Sequence, residues 1–209
     1  MMIPPDARKR ASTPRGARAL GAAALRARII ALAAMTFPLA VLAAPVALVN
    51  AGFESKNPGE GGNPEGWVAI QHAGAESYDF VLDSGQKHSG TQSMRIKKIG
   101  PEPYGTISQI LDGARYAGKT VRLSGWIRTD AIPDGRNTGA GLVLLALKGS
   151  SFVAHELMKK ARVRGTTEWK RYSIELKVPP STTRLELGAT LEGAGTLWVD
   201  DFELEIIDP

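Results

Sequence analysis

Glycine and proline, 23 and 13 residues of 209, interrupt the chain so often beyond residue 46 that no long helix fits between them. The intervals hold about ten short runs rich in Val, Ile, Thr, Trp, Tyr and Phe, the residues that suit a pleated, half-buried surface. Lys119 to Arg128 is the clearest: Val121, Leu123, Gly125 and Ile127 take one face, and Arg122, Ser124, Trp126 and Arg128 the other. Gly141 to Lys148 is almost wholly apolar, as a central strand covered on both faces should be. Further strands are predicted at 46–50, 67–70, 78–83, 91–97, 104–110, 151–158, 169–178 and 183–190, the stretch 169–178 being stopped by Pro179-Pro180. Long Gly-, Pro- and Asn-containing loops at 55–66 and 129–140 are natural rims for binding. The pattern predicts an all-β fold, a two-sheet β-sandwich or a barrel.

The last strand, Gly195 to Ile207, carries two adjacent carboxylates, Asp200 and Asp201. Neighbouring strand residues point to opposite faces unless a bulge intervenes. One carboxylate then needs a charged partner, backbone donors or a metal; alternatively both sit wet at the strand end.

Charge is unevenly placed. Of the chain's 26 basic and 21 acidic residues, residues 1–44 hold seven basic and one acidic, leaving 19 and 20 for the rest. The positive balance belongs to the N-terminal segment, and nothing in the remainder points to a nucleic-acid partner. That basic stretch runs into the apolar residues 29–44 with small residues at their end, the order of a secretory signal. Cleavage after Ala43 or Ala44 gives a secreted, periplasmic or cell-envelope protein. The apolar run continues to Val49, long enough to span a bilayer as an uncleaved anchor, and only in that case is a membrane a partner. The absence of cysteine excludes disulfides, thiolate metal sites and cysteine nucleophiles.

Six motifs stand in order along residues 46–207: Asn50-Ala51-Gly52-Phe53-Glu54, Pro64-Glu65-Gly66-Trp67, His88 to Ile96, Gly118 to Arg128, Thr167 to Tyr172 and Gly195 to Asp201. Together they resemble the galactose-binding-like β-jelly-roll modules, especially the carbohydrate-binding modules once grouped with xylan- and cellulose-binding domains of secreted glycoside hydrolases. The resemblance implies a single jelly-roll domain over 46–207 after a signal or anchor segment at 1–44, with a poly- or oligosaccharide as its ligand. It also implies a structural Ca²⁺ between the first and last strands, held by the Glu54 and Asp201 side chains and by backbone oxygens at Gly52, Asp201 and the turn around His88. Calcium prefers six to eight oxygens in a flexible arrangement. A clip joining the chain's two ends closes its longest loop. The alternative is that Glu54 and Asp201 are capping or salt-bridging turn residues.

Sugar recognition needs aromatic platforms ringed by hydrogen-bonding groups. Trp126 is the leading platform, since it shares a predicted face with Arg122 and Arg128; Glu156 and Glu186 complete the expected groove. Trp67 and Tyr78, beside the first long loop, are expected at a rim. Tyr104 is a secondary candidate, while Trp169 and Trp198 read as core. Glu156 and Glu186 are also the one carboxylate pair that a glycoside-active enzyme would use, but no nucleophile elbow, P-loop or His-Glu-x-x-His motif is present, and the expectation is a non-catalytic module. A third reading is an envelope interaction module with a protein partner. The basic run Lys159-Lys160-Ala161-Arg162-Val163-Arg164 is either a solvated hairpin or a contact for acidic polysaccharide or lipid headgroups.

Overall fold

The structure is a computed structural model and describes residues 43–57 and 63–208. The expected signal or anchor segment lies outside the described residues, apart from Ala43 and Ala44. Eleven strands occur among the described residues: β1 (Ala44–Val46), β2 (Val68–Gln71), β3 (Tyr78–Asp83), β4 (Ser93–Lys98), β5 (Tyr104–Asp112), β6 (Thr120–Ile132), β7 (Gly139–Lys148), β8 (Ser151–Glu156), β9 (Gly165–Lys177), β10 (Arg184–Glu192) and β11 (Thr196–Asp208). They form two antiparallel sheets with jelly-roll topology. Sheet one has the order β3-β4-β11-β6-β9, with β1 added to β11; sheet two has the order β2-β5-β10-β7-β8.

The alternation of β6 holds: Val121, Leu123 and Ile127 are buried, and Arg122, Trp126 and Arg128 face outward. β10 does the same in sheet two, with Leu185, Leu187, Ala189 and Leu191 packed into the core. β7 is buried on both faces as its apolar run predicted. Its inward side meets the other sheet, and its outward side is covered in part by the chain segment 157–163.

The first strand lies earlier than the hydrophobicity suggests. Residues 46–50 read as a strand, yet pairing is confined to Ala44–Val46 against Leu204–Ile206. The Gln109 side chain takes over the backbone of Val49, accepting its N–H at 3.0 Å and donating to its C=O at 2.8 Å. Asn50 then turns the chain in a left-handed conformation (φ 48°), its amide bonded to Ser55. Backbone groups satisfied by side chains need no strand partner.

The last strand bonds on both edges. One edge pairs with β6; the other pairs with β4 over Thr196–Val199 and with β1 over Leu204–Ile206. The change of partner falls on a bulge between Asp200 and Glu203, where Asp201 adopts φ 47°. The bulge turns Phe202 inward against Phe53 and Trp67, with ring centroids 5.8 and 5.1 Å away. Gly125 on β6 makes room for it, because a Cβ there would stand 3.0 Å from the Phe202 ring.

Trp67 is therefore a core residue and not the rim residue that its loop position suggested. It is 4% exposed, and its indole N–H donates to the carbonyls of Val49 and Asn50 at 3.1 Å. Tyr78 is also core, 1% exposed, with its hydroxyl donating to the Glu102 carbonyl; burial pushes the phenol up to about 12. Trp67→Ala is expected to lower the unfolding free energy by about 3–5 kcal/mol, read from urea denaturation; a loss below 1 kcal/mol would place the indole outside the core.

Candidate functional site

Two places gather chemistry. The first is the junction of the first and last strands, where Asp200 is fully buried on the outer side of sheet one. Its carboxylate accepts the backbone N–H groups of His88 and Ser89 at 2.9 and 3.2 Å, and its second oxygen accepts the Asp201 N–H at 2.9 Å. Burial drives its pKa up to about 6, against these donors. Asp201 points to the same loop: its oxygens meet His88 Nδ1 at 2.6 Å and the Ser89 hydroxyl at 2.9 Å. Asp200 is thus no solvent-facing bystander, because the loop 84–92 folds over it.

Glu54 lies alongside, accepting the Thr91 N–H and hydroxyl. Its carboxyl is held below the usual range, first by the Thr91 hydroxyl, while Asp201 raises it. Gly90 (φ +60°) makes room here, since a Cβ would stand 2.1 Å from a Glu54 oxygen; a Cβ on Gly52 would stand 3.3 Å from an Asp201 oxygen. The four residues expected around a metal, Gly52, Glu54, His88 and Asp201, are therefore brought together. Among the described residues no three ligating side chains cluster at metal-binding spacing, so backbone oxygens would have to complete any shell.

Trp126 borders this junction. The His88 ring stacks on it with centroids 3.7 Å apart and planes 15° apart, so one indole face is already covered. Arg122 and Arg128 share its sheet face but are engaged by carboxylates, Arg122 by Glu175 and Glu205, Arg128 by Glu168. Trp198 and Trp169 are half-buried on this side and not in the core; Trp198 donates its indole N–H to Asp83 at 2.8 Å, and the Trp169 ring meets His88 edge-on.

Glu156 and Glu186 belong to the other sheet, so the expected groove combining them with Trp126, Arg122 and Arg128 does not form. Glu186 pairs in register with the outward-facing Leu145, whereas Glu156 pairs with the inward-facing Leu144. The two carboxylates point to opposite sides of sheet two. Glu156 accepts the Met158 N–H at 2.7 Å and Glu186 is bound to Arg184 at 2.9 Å.

The second place is a groove of about 360 Å³ on the outer face of sheet two. Its floor follows from strand register. Outward residues of β10 (Gly188, Thr190) stand beside Ser108 and Thr106 of β5 and beside Val143 and Gly141 of β7. Thr106, Thr190, Val143 and Leu145 floor a trough between two walls: Tyr104 on one side, and Phe152 with Leu157 on the other. Phe152 is 64% exposed. A Cβ on Gly188 would meet the Ile107 carbonyl at 1.9 Å, so glycine also permits the close strand approach.

At one end of the trough the segment 157–163 crosses the sheet, tied by the Val163–Ala140 backbone pair. Arg162 lies over Gly139 and Gly141, where Cβ atoms would stand 2.7 and 3.3 Å from its side chain. It donates to Glu192 at 2.6 Å; burial pulls its pKa below the usual range, and Glu192 opposes this. Phe152, Thr190 and Glu192 were not predicted as site residues, whereas Arg162 stood in the basic run read as either a solvated hairpin or a contact for acidic polysaccharide or lipid headgroups. The alternation of 184–192 was the available signal for Thr190 and Glu192, but sequence does not tell which outward residues line a groove.

Residues 47–195 match the family described as "Carbohydrate binding domain". Similar proteins span several roles. The uncharacterized HTH-type transcriptional regulator YbfP of Bacillus subtilis (strain 168) is 27% identical over 149 residues, which are 69% of this chain and 48% of the regulator. The chain thus spans about half the length of that relative. The xylan-binding domain of Paenibacillus barcinonensis Xyn10C superposes with a TM-score of 0.51 at 14% identity, covering 76% of this chain and 93% of that domain. A Stig cyclase, Fisc from Fischerella sp. TAU, gives 0.54 at 14% identity, covering 78% and 98%. At such identities these structures share the fold alone. By the family match, the chain belongs to the carbohydrate-binding domain family.

Asp200→Ala would leave two amide N–H groups of the 84–92 loop without their acceptor. It is expected to cost about 2 kcal/mol or more in chemical denaturation, with Asp200→Asn costing less because its amide oxygen still accepts; equal stability of all three proteins would overturn this assignment.

Proposed function

We propose that the domain holds a poly- or oligosaccharide along the trough of sheet two, with Tyr104 and Phe152 as its aromatic walls. One observation carries this reading: an exposed Phe152 and a half-buried Tyr104 flank a floor of Thr106, Thr190, Val143 and Leu145 on one sheet face. Sugar rings present apolar faces to aromatic rings and hydroxyls to polar neighbours. Thr106 and Thr190 are linked at 2.9 Å along the floor, and Glu192 stands in register with Tyr104. The outer face of sheet one is less suited, because His88 occupies the Trp126 face and carboxylates occupy Arg122 and Arg128.

The residues at the strand junction fit Ca²⁺. The Glu54 and Asp201 carboxylates, the Gly52 carbonyl and the His88–Ser89 turn are oxygen-rich, and that chemistry suits a hard cation. The Asp201 charge works against ionisation of both Glu54 and Asp200, and no Lys or Arg among the described residues pairs with Glu54, Asp200 or Asp201. Bound there, calcium would supply the positive charge that these groups lack and would tie the first strand to the last. The basic-then-apolar order of residues 1–44 supports export, hence a secreted or envelope site of action.

Tyr104→Ala and Phe152→Ala are each expected to weaken retention in glycan-containing affinity gels about tenfold, roughly 1.4 kcal/mol, with an unchanged melting temperature. Trp126→Ala should leave retention intact. The reverse pattern would move the site to sheet one. Excess CaCl₂ is expected to raise the melting temperature by several degrees over EGTA, since a ligand at 100 times its Kd stabilises by about 2.7 kcal/mol. Glu54→Ala should abolish the rise. Identical melting in CaCl₂ and EGTA would dismiss the metal.

A further inference from the structure

Resting on the reading of the trough as a glycan site, we infer that its ligand is an anionic glycan, with carboxylate or sulfate oxygens received by Arg162 and by the Lys159-Lys160 rim.

Arg162 is the observation that carries this. Its side chain is 3% exposed, yet it lines the groove and is not enclosed in the core. A guanidinium brings five N–H donors. Glu192 receives from Nη2 at 2.6 Å, while Nε and Nη1 have no acceptor. A buried donor without a partner is destabilising, and a buried cation costs more than a neutral group. Two glycines, Gly139 and Gly141, are required to seat the side chain in this place. The chain thus keeps a costly cation at the end of a trough, with donors left over.

The surroundings supply further positive charge. Lys159 and Lys160 form a short 3-10 turn with Ala161 immediately before Arg162, and both are exposed. Neither forms an ion pair among the described residues, and Arg164 forms none either. Lys159 lines the trough beside Arg162. The nearby carboxylates are engaged: Glu192 by Arg162, Glu186 by Arg184, Glu102 by His72, and Glu156 by the Met158 N–H. A neutral sugar is served well by hydroxyl and amide groups, which need not be charged. A guanidinium instead matches the paired oxygens of a carboxylate or sulfate, and exposed lysines add attraction without fixed geometry. Lys159 is exposed and unpaired, so it can swing toward an anion held at Arg162. The basic run of the sequence is therefore the charged end of the binding trough.

Affinity electrophoresis in polygalacturonate, chondroitin sulfate, carboxyl-reduced polygalacturonate and neutral xylan tests this. At least one anionic polymer should retard the domain tenfold or more strongly than either neutral one, and added NaCl should weaken the retardation. The two anionic gels separate carboxylate from sulfate recognition. Lys159→Ala/Lys160→Ala, at exposed positions, should reduce retention severalfold without changing the melting temperature, and Arg162→Gln should reduce it further. Equal retardation by the carboxyl-reduced polymer or by xylan would overturn the inference while leaving the glycan site in place. No retardation by any polymer would overturn both, and in that case binding to phosphatidylglycerol vesicles would reassign the basic run to a lipid surface.

Discussion

The closing strand β11 hydrogen-bonds on both edges, and the architecture of sheet one depends on how it changes partner midway. Its first half needs β4 and its second half needs β1, so one edge must break between them. The break is a bulge at Asp200-Asp201, and the groups it frees find partners nearby. Asp200 caps the loop 84–92, Asp201 meets His88 and Ser89, and the Phe202 N–H donates to the Ala51 carbonyl at 3.0 Å. The same turn sends the Phe202 ring into the core against Phe53 and Trp67. Polar satisfaction and aromatic packing thus enforce one register, and a slip by one residue would exchange Phe202 for a carboxylate.

That junction speaks to stability, and the trough on sheet two speaks to binding. The separation is physical. Sheet one covers its outer face with ion pairs such as Arg122–Glu175 and Arg171–Glu203, which leave its side chains occupied. Sheet two sets Thr106, Thr190, Val143 and Leu145 along the groove on its outer face, between Tyr104 and Phe152. A ligand can lie there without displacing a protein–protein contact.

Much of the fold was legible in the residues because period-2 alternation and Gly/Pro breaks are local signals. Tyr78–Asp83 is a strand over the span predicted, and the two faces of β6 fall as its alternation requires. The convergence of Gly52, Glu54, His88 and Asp201 was legible through family resemblance and not through spacing, since up to 113 residues separate the contacting groups. Val46–Asn50 misled because hydrophobicity does not reveal that a distant Gln109 will bond its backbone. Trp67 and Tyr78 misled because a position beside a loop says nothing of which way a ring turns.

The sequence by itself determined an all-β chain, the inward and outward sets of each strong strand, and a basic run at 159–164. These follow from residue type and from the two-residue repeat of a strand. Only the tertiary structure decided that Glu156 and Glu186 diverge, that His88 covers Trp126, and that Arg162 comes to rest on two glycines across a sheet face. Those outcomes depend on pairing between strands distant in sequence, where register sets which side chains share a surface.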